Sequence, residues 1–260
     1  MQALGCTFLL ISLGVTLGVF LVLRDFSHER CLHMGEEVAL LAAHLFILFL
    51  REDRDSDFRC KFSAIALQFF FIALFILMAL EAYHCYAILT NVVFSGAHVS
   101  RFNNQLIAWG LASCITAVSY HKQDYLPSIW TCWLNFGDSL FWGTVTPVTV
   151  SCVVTFVLIE AAGMDYKNRS VGSNQFQRTA ALANRSNLLI LLPLQVAAWL
   201  VGSIAVYQMN LYLFSTVFAL NVALGVAIFV FHSLGNPKSP RSSSSPHFDY
   251  AAGWLFQVLS

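Results

Sequence analysis

Long apolar stretches separated by short polar segments run through almost the whole chain. A helix that crosses a bilayer needs about 20 apolar residues, because each residue rises about 1.5 Å and the hydrocarbon core is about 30 Å thick. Seven stretches meet this requirement: 6–23, 32–50, 60–89, 104–120, 140–162, 187–207 and 210–234. The pattern predicts an all-α membrane protein with a seven-transmembrane helix bundle over residues 1–234.

The first stretch is also compatible with a secretory signal peptide, since it begins close to Met1. Signal peptides carry positive charge before the apolar run and a small-residue cleavage site after it. No Lys or Arg precedes this run, and Arg24 follows it without such a site. A membrane span is therefore the favoured interpretation.

Composition agrees with a membrane protein and excludes several functional classes. Hydrophobic residues make up 58% of the chain and charged residues 11%, whereas a typical soluble domain is about a quarter charged. The net charge is zero, so no overall field indicates nucleic acid as a partner, and membrane lipid is the expected surrounding. The cysteines include no CxxC pair and no Cys/His group with zinc spacing, so no metal or cofactor is expected.

Basic residues are divided unequally between the two sides of the predicted bundle, and cytoplasmic loops usually carry the excess of Lys and Arg. One side holds Arg24, Arg30, Arg101, Lys167, Arg169, Arg178, Arg185, Lys238 and Arg241, and the other holds Arg51, Arg54, Arg59, Lys61 and Lys122. We therefore expect the N-terminus outside and the C-terminus in the cytoplasm, with 235–260 as a disordered Ser/Pro-rich cytoplasmic tail. Two glycosylation sequons, Asn168-Arg169-Ser170 and Asn184-Arg185-Ser186, fall on the expected cytoplasmic side and are weak evidence against this orientation.

Ionisable residues within the predicted spans are candidates for function, because charge is costly to place in lipid. These residues are His33, Glu36, Glu37, His44, Glu81, His84 and Glu160. His33 and Glu81 lie toward the inner ends of adjacent helices. They either pair as a carboxylate–imidazole lock or are solvated separately.

Three further groups of residues have two interpretations each. Cys60 and Cys132 are both expected on the outer, oxidising side, either as a disulfide or as free thiols. Pro193 predicts a bend in the sixth span, because proline removes a backbone donor, and Trp199 beside Gly202 is either a lever at that bend or a packing residue. The aromatic residues at the mouth of the fifth span either form an interfacial belt or line an outward-facing pocket.

Six short segments, in this order and spacing, resemble the seven-helix domain of adhesion-class G protein-coupled receptors, relatives of the secretin-type receptors. They are Leu80-Glu81-Ala82-Tyr83-His84-Cys85-Tyr86 (family L-E-G-L-H-L-Y), Ala108-Trp109-Gly110-Leu111-Ala112 (G-W-G-L-P), Cys132-Trp133-Leu134 (C-W-L), Phe141-Trp142 with Pro147 (F-I-W-S-x-x-G-P), Leu191-Leu192-Pro193-Leu194 with Trp199 and Gly202 (L-L-P-L then T-W-x-F-G), and Ile228-Phe229-Val230-Phe231-His232 (I-F-x-F-H). The flamingo-like seven-pass cadherin and latrophilin-like branches are the expected neighbours. The match departs from the family at Ala112, Ala198, Val201 and Leu224.

This resemblance implies a multi-pass receptor of the plasma membrane that passes an extracellular or tethered-peptide signal to a heterotrimeric G protein, and not an enzyme. It implies a disulfide between Cys60 and Cys132. The implied agonist pocket contains Trp133, Phe141, Trp142 and Trp199, and the implied activation lock and switch contain His33, Glu81, Pro193, Trp199 and Gly202. The surface expected to face the G protein contains Arg30, Arg101, Lys167, Arg169, Arg178 and Arg185.

Two other functions stay open at the level of sequence. The spans are compatible with a non-signalling anchor for an adhesion ectodomain, and with a polytopic membrane enzyme that uses zinc or haem. No agonist-bearing segment precedes the first span in this sequence, so we expect a fragment, a short isoform or a receptor that works without that segment.

Overall fold

The computed structural model describes residues 2–23, 27–52, 57–90, 101–121, 139–168, 175–208 and 210–234. The helices are α1 (Gln2–Leu23), α2 (His28–Glu52), α3 (Asp57–Leu89), α4 (Arg101–His121), α5 (Ser139–Asn168), α6 (Gln175–Gln208) and α7 (Leu211–Ile228), and a π-helical segment, Phe229–Leu234, continues α7. Within the described ranges this is an all-helical bundle of seven helices, in agreement with the predicted fold. We call "inner" the end of the bundle that is predicted to face the cytoplasm.

Six of these seven helices are long and apolar enough to cross a membrane, and α4 is the exception. The first turns of α4 contain Asn103, Asn104 and Gln105, which lower the apolarity of the predicted span 104–120. Asn104 is buried, and its Nδ2 lies 2.8 Å from Nε2 of His28 in α2. The Asn104 amide is therefore satisfied inside the bundle rather than exposed to lipid.

The inner ends of α5 and α6 extend beyond the predicted spans. α5 continues to Asn168, and α6 begins at Gln175, well before residue 187. Hydropathy detects only the part of a helix that lies in hydrocarbon, whereas backbone hydrogen bonding continues the helix into water. The apolar pattern alone therefore predicts a loop where the polar first turns of α6 lie.

Helix α3 is the central element of the bundle. It packs against α2, α4, α5 and α6, while α1 packs against α2 and α7 and closes the ring. The membrane window of α3 is 67% buried, compared with 50% or less for the other spans. Its buried side chains, Leu67, Phe71, Leu74, Phe75 and Met78, form the middle of the main apolar core. Side chains of α3 therefore reach several helices at once.

A short connection holds α6 and α7 antiparallel. Asn210 has extended backbone angles, φ −92° and ψ 128°, and its side-chain oxygen accepts a 2.9 Å hydrogen bond from the backbone N–H of Tyr212. An Asn in this position satisfies one of the free N–H groups at a helix start. The cap fixes the first residue of α7 immediately after the end of α6.

A missing side chain in α2 makes room for a glutamine of α4. A Cβ atom at Gly35 would lie 2.7 Å from Nε2 of Gln105, closer than any real contact. The Gln105 amide donates to the backbone carbonyl of Cys31 at 2.7 Å and accepts from the indole Nε1–H of Trp109 at 2.8 Å. Gly35 thus allows one amide to join α2 and α4.

Candidate functional site

Three helices meet at the side chain of His33 in the inner half of the bundle. Its Nε2 atom lies 2.6 Å from Oε1 of Glu81 in α3 and 3.2 Å from Oδ1 of Asn184 in α6. Both partners are acceptors, so Nε2 carries the hydrogen and donates to them. All three side chains are buried. Buried, charge-assisted hydrogen bonds of His33 therefore join α2, α3 and α6.

Asn184 also connects α6 to a second position on α3. Its Nδ2 group donates to Sγ of Cys85 at 3.3 Å. Asn184 is the acceptor residue of a glycosylation sequon, yet its side chain is 6% exposed and uses both of its polar atoms inside the bundle. A glycan cannot be attached to this side chain in the folded protein, so this sequon carries no weight against the predicted orientation.

The π-helical segment after α7 brings His232 onto His33. The two imidazole rings are stacked, with centroids 4.1 Å apart and an interplanar angle of 4°. Nδ1 of His232 donates to Oε1 of Glu37 at 2.8 Å, and both side chains are buried. A π-turn shifts the side chains that follow it and is often found at functional sites. The end of α7 is thereby joined to α2 at two adjacent points.

A third carboxyl group, that of Glu36, lies within hydrogen-bonding reach of Glu81. Oε1 of Glu36, Oε2 of Glu37 and Oε2 of Glu81 have no hydrogen-bond partner within the described helices. Buried polar atoms without partners raise the free energy of the folded state, so these unpaired oxygens destabilise this arrangement of side chains. We name His33, Glu36, Glu37, Glu81, Asn184 and His232 the inner polar cluster.

A smaller polar group lies in the outer half. Nδ1 of His44 donates to the backbone carbonyl of Leu40 at 2.9 Å, and His44 is also hydrogen-bonded to Asn221 of α7. Asn221 is buried and its amide lies 3.9 Å from Sγ of Cys6 in α1. His44 lies about three turns beyond His33, so both face the same side of α2. The two histidines serve separate halves of the bundle.

Trp199 lies in the main core beside the central helix. Its indole meets the ring of Phe75 edge-on, with centroids 6.4 Å apart, and Nε1 has no hydrogen-bond partner within the described ranges. A Cβ at Gly202 would meet no atom within 4 Å, so Gly202 makes room neither for the indole nor for a close neighbour in this conformation. Pro193 is exposed within the continuous helix α6, and the bend expected there stays a prediction.

The outer mouth is only partly described. Trp142 is 60% exposed near the start of α5. The Phe141 and Cys60 side chains and the residues Trp133 and Cys132 lie outside the described part, so the pocket and the disulfide stay predictions. Within the described helices, five cysteines form no disulfide: Cys6, Cys31, Cys85, Cys114 and Cys152.

Three of the basic residues expected at a G protein-facing surface, Arg30, Arg178 and Arg185, are wholly or partly buried in this conformation. Arg30 is 9% exposed and stacks over the ring of Phe20, and Arg178 is 7% exposed. Arg185 is directed toward α5 and donates to the backbone carbonyl of Ile159 at 2.8 Å. Arginine stems pack against apolar neighbours in this way when helices are closely apposed. The side chains of Arg101 and Lys167, and residue Arg169, lie outside the described part.

The inner polar cluster contains partners that the apolar pattern did not identify. Asn184 precedes the predicted sixth span and falls in a predicted loop, so the sequence does not predict its contact with His33. In the sequence, His232 stands out only as the end of a motif. Glu37 stands out only as an ionisable residue within a span. A helical wheel that included Gln175–Ser186 would have placed Asn184 on the bundle face.

A seven-helix bundle with a buried polar cluster that joins four helices at one end is compatible with the class of seven-transmembrane receptors. Residues 1–230 match the family described as "7 transmembrane receptor (Secretin family)". The chain belongs to this family, and the resemblance to adhesion-class receptors is confirmed.

The most similar relatives are adhesion receptors. The "Adhesion G-protein coupled receptor D1" of Bos taurus is 29% identical over 90% of this chain and 27% of its own length, and that of Homo sapiens is 28% identical over 90% and 28%. The "Cadherin EGF LAG seven-pass G-type receptor 1" of Mus musculus is 27% identical over 90% of this chain and 7% of its own length. The chain thus spans about a quarter or less of these relatives. The protein is a multi-pass protein of the plasma membrane, as the resemblance implied.

Proposed function

We propose that this chain transmits an extracellular or tethered-peptide signal to a heterotrimeric G protein by opening the inner half of its bundle. The observation that supports this proposal is the pair of hydrogen bonds from His33 to Glu81 and Asn184, which joins α2, α3 and α6. A hydrogen-bonded ion pair in a dry interior is either intact or broken, because intermediate distances leave both partners unsatisfied. Such a contact gives the bundle two states, and a ligand that prefers the open state shifts their populations.

The same cluster argues against a simple anchor. Buried carboxylates with unpaired oxygens, such as those of Glu36 and Glu37, reduce stability, and a tether has no use for that cost. Polar groups that are both costly and mutually bonded are what a switch requires. Among the described residues no three His, Cys, Asp or Glu side chains are grouped as metal ligands, so no observation favours a metal-dependent enzyme.

The arginines also fit a closed, inactive conformation. Arg178 is buried and Arg185 is held against α5, so these two cations are not presented to a partner in this state. An outward displacement of the inner half of α6 would expose both side chains. The basic docking surface for the G protein thus forms upon opening.

A chimeric receptor tests the G protein proposal directly. The agonist segment of a related adhesion receptor is fused ahead of α1, and nucleotide exchange on a panel of Gα proteins is measured and normalised to surface amount. We expect activation of at least one Gα protein, and no activation by a chimera with a scrambled agonist segment. A chimera that reaches the surface and activates no Gα protein in the panel contradicts the proposal.

A substitution at Asn184 tests whether the cluster restrains α6. Asn184→Ala removes the bonds to His33 and Cys85 and is expected to raise agonist-independent activation about fivefold or more, the size of a typical coupling between two states. Asn187→Ala is the matched control, because Asn187 lies on the same helix and makes no hydrogen bond within the described ranges. Equal basal activation in both variants would show that Asn184 is not a restraint.

A further inference from the structure

Arg185 connects α6 to α5 by a contact that the inner polar cluster does not include. Its Nε–H donates to the backbone carbonyl of Ile159 at 2.8 Å, and a terminal nitrogen lies 3.9 Å from Oε1 of Glu160. The Arg185 side chain is 22% exposed, whereas the Glu160 side chain is 45% exposed. The short bond to the backbone therefore defines the contact, and the longer, more solvated ion pair supports it.

Gly163 provides the space that this contact needs. A Cβ atom at Gly163 would lie 2.5 Å from a terminal nitrogen of Arg185, 2.7 Å from Cζ and 3.0 Å from Nε. The first two distances are shorter than real Cβ contacts and the third is at the limit, so the guanidinium occupies the space that a side chain at position 163 would fill. Any other residue at this position would displace the arginine. Such a close fit exists only while α5 and α6 are packed together.

The neighbouring residue, Asn184, holds the same turn of α6 from a different direction. Asn184 bonds to His33 of α2 and Cys85 of α3, whereas Arg185 bonds to α5. Adjacent residues on a helix point about 100° apart, so one turn of α6 is tied on two faces by separate contacts. Neither contact shares an atom or a partner with the other.

We propose that the guanidinium of Arg185 seated on Gly163 is a latch between α5 and α6 that holds the inner half of α6 closed, independently of the His33–Glu81 contact. The latch opens when α6 moves away from α5, since the bond to the Ile159 carbonyl cannot lengthen without breaking. The signalling consequence of the latch rests on the proposed receptor function. The effect of the latch on the position of α6 does not depend on that function.

Two substitutions on opposite helices test the latch through basal activation. Arg185→Ala removes the guanidinium, and Gly163→Ala displaces it while the charge is kept, because the atom that must move is the far end of a flexible side chain. Each is expected to raise agonist-independent G protein activation about fivefold or more. The double variant is expected to rise no further, since both changes remove one contact. Gly110→Ala is the matched control, because a Cβ there meets nothing within 4 Å.

A distance measurement separates the latch from the G protein proposal. Spin labels on cysteines introduced at the exposed positions Met164 of α5 and Thr179 of α6 report the separation of the inner helix ends. We expect a longer distance population in Arg185→Ala and Gly163→Ala, and an unchanged distribution in Gly110→Ala. Longer distances in both variants support the latch even where the agonist chimera activates no Gα protein. A signalling chimera in which Gly163→Ala changes neither basal activation nor distance overturns the latch and leaves the proposed function standing.

Discussion

Glu81→Gln is expected to raise agonist-independent G protein activation about tenfold or more, the largest basal effect of any single substitution in the bundle. The change removes the negative charge that His33 meets at 2.6 Å and weakens the contact at which α2, α3 and α6 join. Loss of a hydrogen bond to a charged, buried partner costs about 1–3 kcal/mol, and about 1.4 kcal/mol corresponds to a factor of ten. The measurement is nucleotide exchange per receptor at the cell surface.

A matched histidine on the same helix controls for general destabilisation. His33→Ala should raise basal activation as Glu81→Gln does, since it removes the other partner. His44→Ala also deletes a buried histidine, but in the outer half, where its ring bonds to the Leu40 carbonyl and to Asn221. We expect His44→Ala to lower surface amount without raising activation per receptor. If His33→Ala and Glu81→Gln both matched the unsubstituted chain in surface amount and basal activation, the pair would not be a lock.

Trp199→Phe is expected to reduce agonist-dependent activation at least about tenfold while basal activation is kept. The indole of Trp199 packs on Phe75 of the central helix, and its Nε1–H has no partner within the described ranges. A buried donor without a partner is free to bond to a group that arrives when the outer half rearranges. Phenylalanine is the informative substitution, because alanine at a buried tryptophan opens a cavity that costs about 3–5 kcal/mol.

A second tryptophan provides the comparison for this variant. Trp109 of α4 also packs against rings of α3, with centroids 5.7 Å from Phe69 and 6.3 Å from Phe70. Trp109→Phe should lower thermal stability and leave the response to the fused agonist segment intact. The experiment is run in the chimera and normalised to surface amount. A normal agonist response in Trp199→Phe would make this tryptophan a packing residue only.

The apolar pattern was sufficient to predict the number and order of the helices. Each of the seven described helices overlaps one of the seven predicted stretches, because a span must bury its backbone polar groups within a single apolar helix. The ends of the helices were less predictable, and α6 in particular begins at Gln175 rather than near residue 187. Beyond the hydrocarbon region, side-chain polarity no longer indicates whether a helix continues.

Contacts between helices depend on rotation and depth, which a single sequence does not contain. His33 and Glu81 are predicted at matching depths because the expected topology puts both toward the inner side, and the structure places Nε2 of His33 2.6 Å from Oε1 of Glu81. Arg185 was assigned to a surface because it is charged, and only the empty space over Gly163 shows why it faces α5. The sequence alone does not show that a glycine on one helix contacts an arginine on another, because that contact depends on how the two helices pack.

The amide of Gln105, seated where Gly35 has no side chain, restricts how these two positions are able to change over evolution. A larger residue at position 35 would displace the Gln105 amide from its present place, since even a methyl group would lie 2.7 Å from its nitrogen. A shorter residue at 105 that appeared first would leave the indole N–H of Trp109 and the Cys31 carbonyl without their partner. Each single change therefore disturbs the same two hydrogen bonds of Gln105. We expect homologous receptors to carry compensated pairs, a glycine at 35 with a long amide at 105, or a bulkier residue at 35 with a small one at 105, and mixed combinations to be rare.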